Sequence, residues 1–200
     1  LFRKGTKGVL EELQAAFMRL VKWLEDVFGV KLGFEKKALD NILGEGLYGG
    51  KILSKTELED WAKLLKKKYG TKLQKVDKFE NPKVLAAFDG NTNTIKYTDE
   101  VTEYFIRHES FHAEEFSKIG KDAYFKGAHI EGTPWTIENF IHQYKRERYV
   151  YDRIVETAKT YKYSPLEVNI PPNGHAFQYF DTLKANLEVL LAKNNLPFPN

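Results

Sequence analysis

The chain has 200 residues, of which 42% are hydrophobic, 14% aromatic and 30% charged; that is the composition of a folded globular protein with a sizeable core, and it excludes an intrinsically disordered chain. A net charge of +3 is too small to argue for a nucleic-acid surface. There is no cysteine, so neither disulfides nor thiolates are available, and any metal must be held by His, Asp or Glu.

No apolar run reaches the ~18 residues that a membrane span needs, and no signal peptide is visible at the start. The chain opens Leu1-Phe2-Arg3-Lys4-Gly5 rather than on Met, as expected of a processed protein or of a piece of a longer one. Residues 9–28 read as an amphipathic helix, with Val9, Leu10, Leu13, Phe17, Leu20, Val21, Leu24 and Phe28 at helical spacing. Gly29 stops it, a short strand follows at 30–32, and the Gly-rich stretch 33–53 reads as a connector. Residues 1–50 are therefore expected to be a helical extension or linker, with the main domain over 51–200.

The second helix is predicted over 55–69, capped by Thr56 with Glu59 as its capping-box partner and stopped by Gly70. A strand at 71–76 follows. Asp89-Gly90-Asn91-Thr92, set between the extended runs 85–88 and 93–97, is a hairpin signal. The hairpin leads into a helix predicted over 99–118, capped by Thr98 or Asp99 and ended by Gly120. A loop carrying Gly127, Gly132 and Pro134 precedes a long helix at 134–160. After the Pro/Gly break at 164–174, a last helix spans 175–193 with Phe177, Phe180, Leu183, Leu187 and Leu190 or Leu191 on its buried face.

The helix at 99–118 carries His108-Glu109-Ser110-Phe111-His112, an H-E-x-x-H pattern. Residues four apart share a helix face, so the two imidazoles can converge on one metal ion, while Glu109, about 100° around the helix, can reach a water there. Val101, Phe105, His108, His112 and Phe116 form one stripe, which places both His on the apolar face, where a polar ring needs a partner. Two nitrogen ligands with an adjacent carboxylate base are the parts of a hydrolytic zinc site.

Without cysteine, a third protein ligand must be Glu, Asp or His. The stripe of the long helix runs Phe140, Tyr144, Glu147, Tyr151, Ile154 and Ala158. A carboxylate on that inward face needs a positive partner, so Glu147 is the leading candidate, with Glu131 and Glu138 as alternatives. The expected chemistry is hydrolysis of a peptide bond, with Glu109 as general base. Tyr144, Tyr151 and His142 are candidates for a second electrophile, and Tyr151 is the one assigned a catalytic role. His129 and His175 receive no role.

The segments Thr92–Thr98, His108–His112 and Lys145-Arg-Glu147-Arg-Tyr-Val150-Tyr151-Asp152-Arg-Ile154 together resemble the zincin-like metallopeptidase toxin domains of bacterial polymorphic toxins, in which a helix with a Glu-x-x-Val-Tyr-Asp-like run follows the metal helix. The resemblance covers about residues 55–190. It implies an α+β zincin-like fold: a small sheet with a hairpin, packed on the H-E-x-x-H helix and a long C-terminal helix. It also implies a zinc endopeptidase with a polypeptide substrate, delivered into a target cell as the C-terminal part of a larger secreted toxin and neutralised by a cognate immunity protein. One position departs from the thermolysin-like pattern: the Asp expected four residues after the ligand Glu is Tyr151 here, and Asp152 lies one further on. A housekeeping or regulatory zincin and a non-catalytic, metal-stabilised binding module are the rival readings.

Overall fold

The computed structural model describes residues 46–158, 160, 161, 163, 167 and 175–199. The helix and strand expected within residues 9–32, and most of the connector after them, lie outside these. The described elements are a 3-10 turn at Leu47–Gly49, then α1 (Lys55–Tyr69), β1 (Lys72–Lys75), β2 (Ala86–Asp89), β3 (Thr94–Tyr97), α2 (Glu103–Ile119), α3 (Lys121–Phe125), α4 (Ile137–Thr157) and α5 (His175–Lys193). The architecture is α+β, with one small sheet and helices packed on it.

The sheet order is β1-β3-β2. β1 runs parallel to β3, with Leu73 opposite Ile95, and β2 runs antiparallel to it, with Phe88 opposite Ile95. The hairpin between β2 and β3 forms as expected, but the left-handed residue is Asn93 (φ 47°), not Gly90. Asn93 tolerates that conformation because its side chain is tied down on both sides. Its Oδ1 accepts from the Thr71 hydroxyl at 2.7 Å and its Nδ2 donates to the Tyr69 carbonyl at 3.3 Å. Gly90 is needed for a different reason: a Cβ there would lie 2.8 Å from Cζ of Phe125.

Two predicted helix starts move. The α1 capping box is Ser54 with Glu57, not Thr56 with Glu59: Glu57 N–H donates to Ser54 Oγ and Ser54 N–H donates to Glu57 Oε2 at 2.8 Å. The α2 helix starts at Glu103 rather than at 99. Thr98 cannot begin it, because its N–H donates to the Leu85 carbonyl and so extends the hairpin. Asp99 pairs instead with Lys75 at 2.8 Å. Long α4 starts at a capping box made by Thr136 and Asn139, three residues later than expected. Gly120 ends α2 as predicted, but the following loop is replaced at first by the short helix α3.

The main core joins all layers: Leu65 of α1, Ile95 of β3, Ile106 of α2, and Val150 and Ile154 of α4 are each no more than 1% exposed. Burying an aliphatic side chain of this size stabilises the fold by about 1.5–3 kcal/mol each. A second cluster, Tyr144, Leu187 and Leu191 with Phe140 and Phe180 against it, fastens α5 to α4. The result fixes α2 between the sheet and α4. Residues 46–50 also belong to this packing, as Leu47 and Tyr48 lie against the main core.

Candidate metal centre

α2 and α4 bring three side chains to one point. His108 Nε2 lies 3.4 Å from Glu147 Oε2, and His112 Nε2 lies 3.5 Å from Glu147 Oε1. The ligand atoms of all three residues fall within 4.8 Å of one another. A tetrahedral site with bonds of about 2.1 Å separates its ligand atoms by about 3.4 Å, so the spacing fits a small divalent ion. Glu147 Oε2 is buried and has no partner in hydrogen-bonding geometry. A buried carboxylate oxygen left in that state is costly, and a cation is the partner that the two neighbouring imidazoles leave room for. These residues fit a metal.

The electrostatics agree with a coupled group. Burial alone would raise the Glu147 carboxyl, but His112 and His108 outweigh it and hold the group well below the usual carboxylate range. His112 moves the other way: burial would lower it, but Glu147, joined by Glu109 and Glu115, outweighs that and raises it. Burial raises Glu109, with His108 and His112 partly opposing that. A carboxylate moved upward in this way is better matched to accepting a proton near neutral pH. Glu109 is also aimed: its Oε2 accepts the Phe88 N–H of β2 at 2.7 Å, and its Oε1 lies 3.9 Å from His108 Nε2.

The alternative ligands are elsewhere. Glu131 is exposed in the loop before α4, and exposed Glu138 lies over Gly127. Of the proposed electrophiles, none joins the group. The Tyr151 ring stacks on Phe180 with centroids 4.6 Å apart, and Tyr144 packs between Phe180 and Phe198. His142 Nε2 donates to the Tyr124 carbonyl at 2.6 Å. Asp152 is exposed and lies 3.7 Å from Arg148, so it supports neither His108 nor His112.

Two residues near the group had no role in the sequence. Tyr124 of α3 is buried, and its hydroxyl lies 3.4 Å from His112 Nδ1. His175, at the start of α5, stacks on Tyr48 at 4.4 Å and has Nδ1 3.0 Å from the Tyr104 hydroxyl. Tyr104 in turn sets its ring edge-on to His108 at 6.3 Å. Burial, with a smaller contribution from the nearby His108, lowers His175 to about 4, so it is a neutral ring at physiological pH. No local pattern marks either residue.

A helix with two histidines one turn apart, crossed by a second helix that supplies a carboxylate, defines the class of metal-dependent hydrolases. A family model, metallopeptidase toxin 4, matches residues 45–171. That is more than half of the chain, and the chain belongs to this family of peptidase toxins. No curated protein and no solved structure matches the chain.

Proposed function

We propose that this chain is a zinc-dependent endopeptidase of zincin-like fold that acts as the toxin domain of a larger bacterial protein delivered into a target cell. The observation that carries this reading is the trio of buried His112 and half-buried His108 and Glu147, with Glu109 beside it. Zinc is the ion of choice because two imidazole nitrogens and one carboxylate, with no thiolate, are a common catalytic zinc set. When bound, zinc supplies a Lewis acid for the scissile carbonyl and makes water more acidic. Glu109 takes a proton from the attacking water at its carboxylate and returns it to the leaving amide nitrogen as the carbon–nitrogen bond breaks. The substrate class is a polypeptide, and β2 offers it a platform. β2 is an edge strand whose Phe88 N–H turns away from β3, toward Glu109. An extended peptide laid along that edge would pass the base. A toxin of this kind also requires an immunity protein in the cell that makes it.

Zinc content and proteolysis test the reading. The purified chain should hold stoichiometric zinc by elemental mass spectrometry, cleave an unfolded protein substrate, and stop growth when expressed in a bacterial host. Glu109→Gln should keep the zinc and lose both activities. A chain that takes up no zinc, or a Glu109→Gln variant that stays active, would rule the proposal out.

A further inference from the structure

Among the described residues no carboxylate hydrogen-bonds Nδ1 of His112, although metal-binding imidazoles are held by a second hydrogen bond that fixes the tautomer and the ring. Here Tyr124 occupies that place, with its hydroxyl 3.4 Å from His112 Nδ1. Its ring is locked edge-on against Phe116 at 5.3 Å, Phe88 at 5.9 Å and Phe125 at 5.4 Å. Its backbone is fixed separately, by His142 Nε2 donating to its carbonyl at 2.6 Å. His142 stands on α4, the helix that also supplies Glu147. Behind the ring, Arg146 lies 5.5 Å from the centroid and 2.9 Å from Glu115 Oε1, while Glu115 Oε2 is buried without a hydrogen-bond partner.

We infer that Tyr124, clamped by His142, is the positioning residue that orients His112 for the metal. The inference rests on the metal reading above. With Nε2 of His112 turned to the metal, Nδ1 carries the proton and donates to the Tyr124 hydroxyl oxygen. The phenol proton then turns away from His112. The short helix α3 exists, on this account, to present one hydroxyl to the back of the metal helix. Glu147 and the clamp His142 both stand on α4, while Tyr124 stands on α3, so α4 supplies one ligand and holds the backbone of the residue behind another.

The test compares zinc affinity in Tyr124→Phe and the wild type, by competition with a chromophoric chelator. Phe keeps the ring packing and removes only the hydroxyl. The expected result is a loss of about ten- to a hundredfold in zinc affinity, while the metal-free variant melts with the wild type. In the zinc-loaded protein with ¹⁵N-labelled His, the His112 Nδ1–H resonance should be protected from solvent exchange in the wild type and lose that protection in the variant. His142→Ala should weaken zinc in the same direction, and His142→Gln, whose amide can still donate to the Tyr124 carbonyl, should restore it. If the wild type binds zinc and Tyr124→Phe binds it equally well with an unchanged Nδ1–H resonance, Tyr124 only fills space and the inference is overturned. If the wild type itself takes up no zinc, the metal reading fails and this inference falls with it.

Discussion

Replacing Glu114 with Gln tests whether the metal helix is held by one buried carboxylate. Glu114 is 6% exposed on the middle of α2. Its Oε1 accepts from the Tyr149 hydroxyl at 2.8 Å and from the Lys118 ammonium, and its Oε2 accepts from the Tyr69 hydroxyl at 3.1 Å, with Arg153 3.4 Å away. Burial by itself would raise this carboxyl, but Lys118, Tyr149 and Arg153 prevail and hold it at about 2 against an ordinary 4.5. A depression of that size corresponds to about 3 kcal/mol of folding stability. Lys118 and Arg153 keep side-chain exposures of 59% and 33%, and screening by water at those two partners brings the contribution to about 2 kcal/mol. Because the folded value is the lower one, the stabilisation is complete above 4.5 and disappears as the pH falls toward 2. Gln keeps an acceptor oxygen for one phenol, sets a donor NH2 beside the other, whose hydroxyl oxygen can accept from it, and loses the charge. Urea unfolding of Glu114→Gln at neutral pH should therefore show a loss of about 2 kcal/mol, and the gap should narrow as the pH approaches about 3. A variant within about 0.5 kcal/mol of the wild type at neutral pH, or a gap indifferent to pH, would refute the reasoning.

Three alanine variants assign the third ligand. Glu147→Ala should abolish zinc binding in the chelator competition, while Glu131→Ala and Glu138→Ala should bind like the wild type; a loss confined to either of the latter would move the assignment. Gly50→Ala should destabilise the fold by about 1–3 kcal/mol through overpacking, because the new Cβ overlaps the Glu167 carboxylate and lies 3.0 Å from Cβ of Thr102. Its thermal midpoint checks this, and a midpoint unchanged from wild type would show that Glu167 swings aside without cost.

The features legible in the sequence were those whose information is local. His108 and His112 declare themselves because four residues is one helical turn. Glu147 stands out because a charge interrupts an otherwise apolar stripe on α4. The antiparallel hairpin followed from Asp89-Gly90, although the strained residue proved to be Asn93, held by contacts to Thr71 and Tyr69 that the hairpin's own sequence does not contain. Cap positions slipped where several polar residues compete. Thr98, Asp99 and Thr102 can each precede a helix, and the choice was made by the hairpin's hydrogen bond to Leu85 and by the pairing of Asp99 with Lys75. Tyr124 was not legible because α3 has five residues, too few for any periodicity to show. His175 was not legible because its partner Tyr104 is 71 positions away. Tyr151 sits on the correct stripe, yet α5 covers it through Phe180. That covering depends on how two helices pack, and neither helix encodes it alone.

Gly50 and Glu167 stand near opposite ends of the stretch that matches the family, and both press on Thr102, whose hydroxyl donates to Glu167 Oε1 at 2.6 Å. The chain thus returns on itself, with Gly50 and Glu167 side by side at the foot of α2. A unit wired in this way can be attached to unrelated neighbours without rethreading its interior.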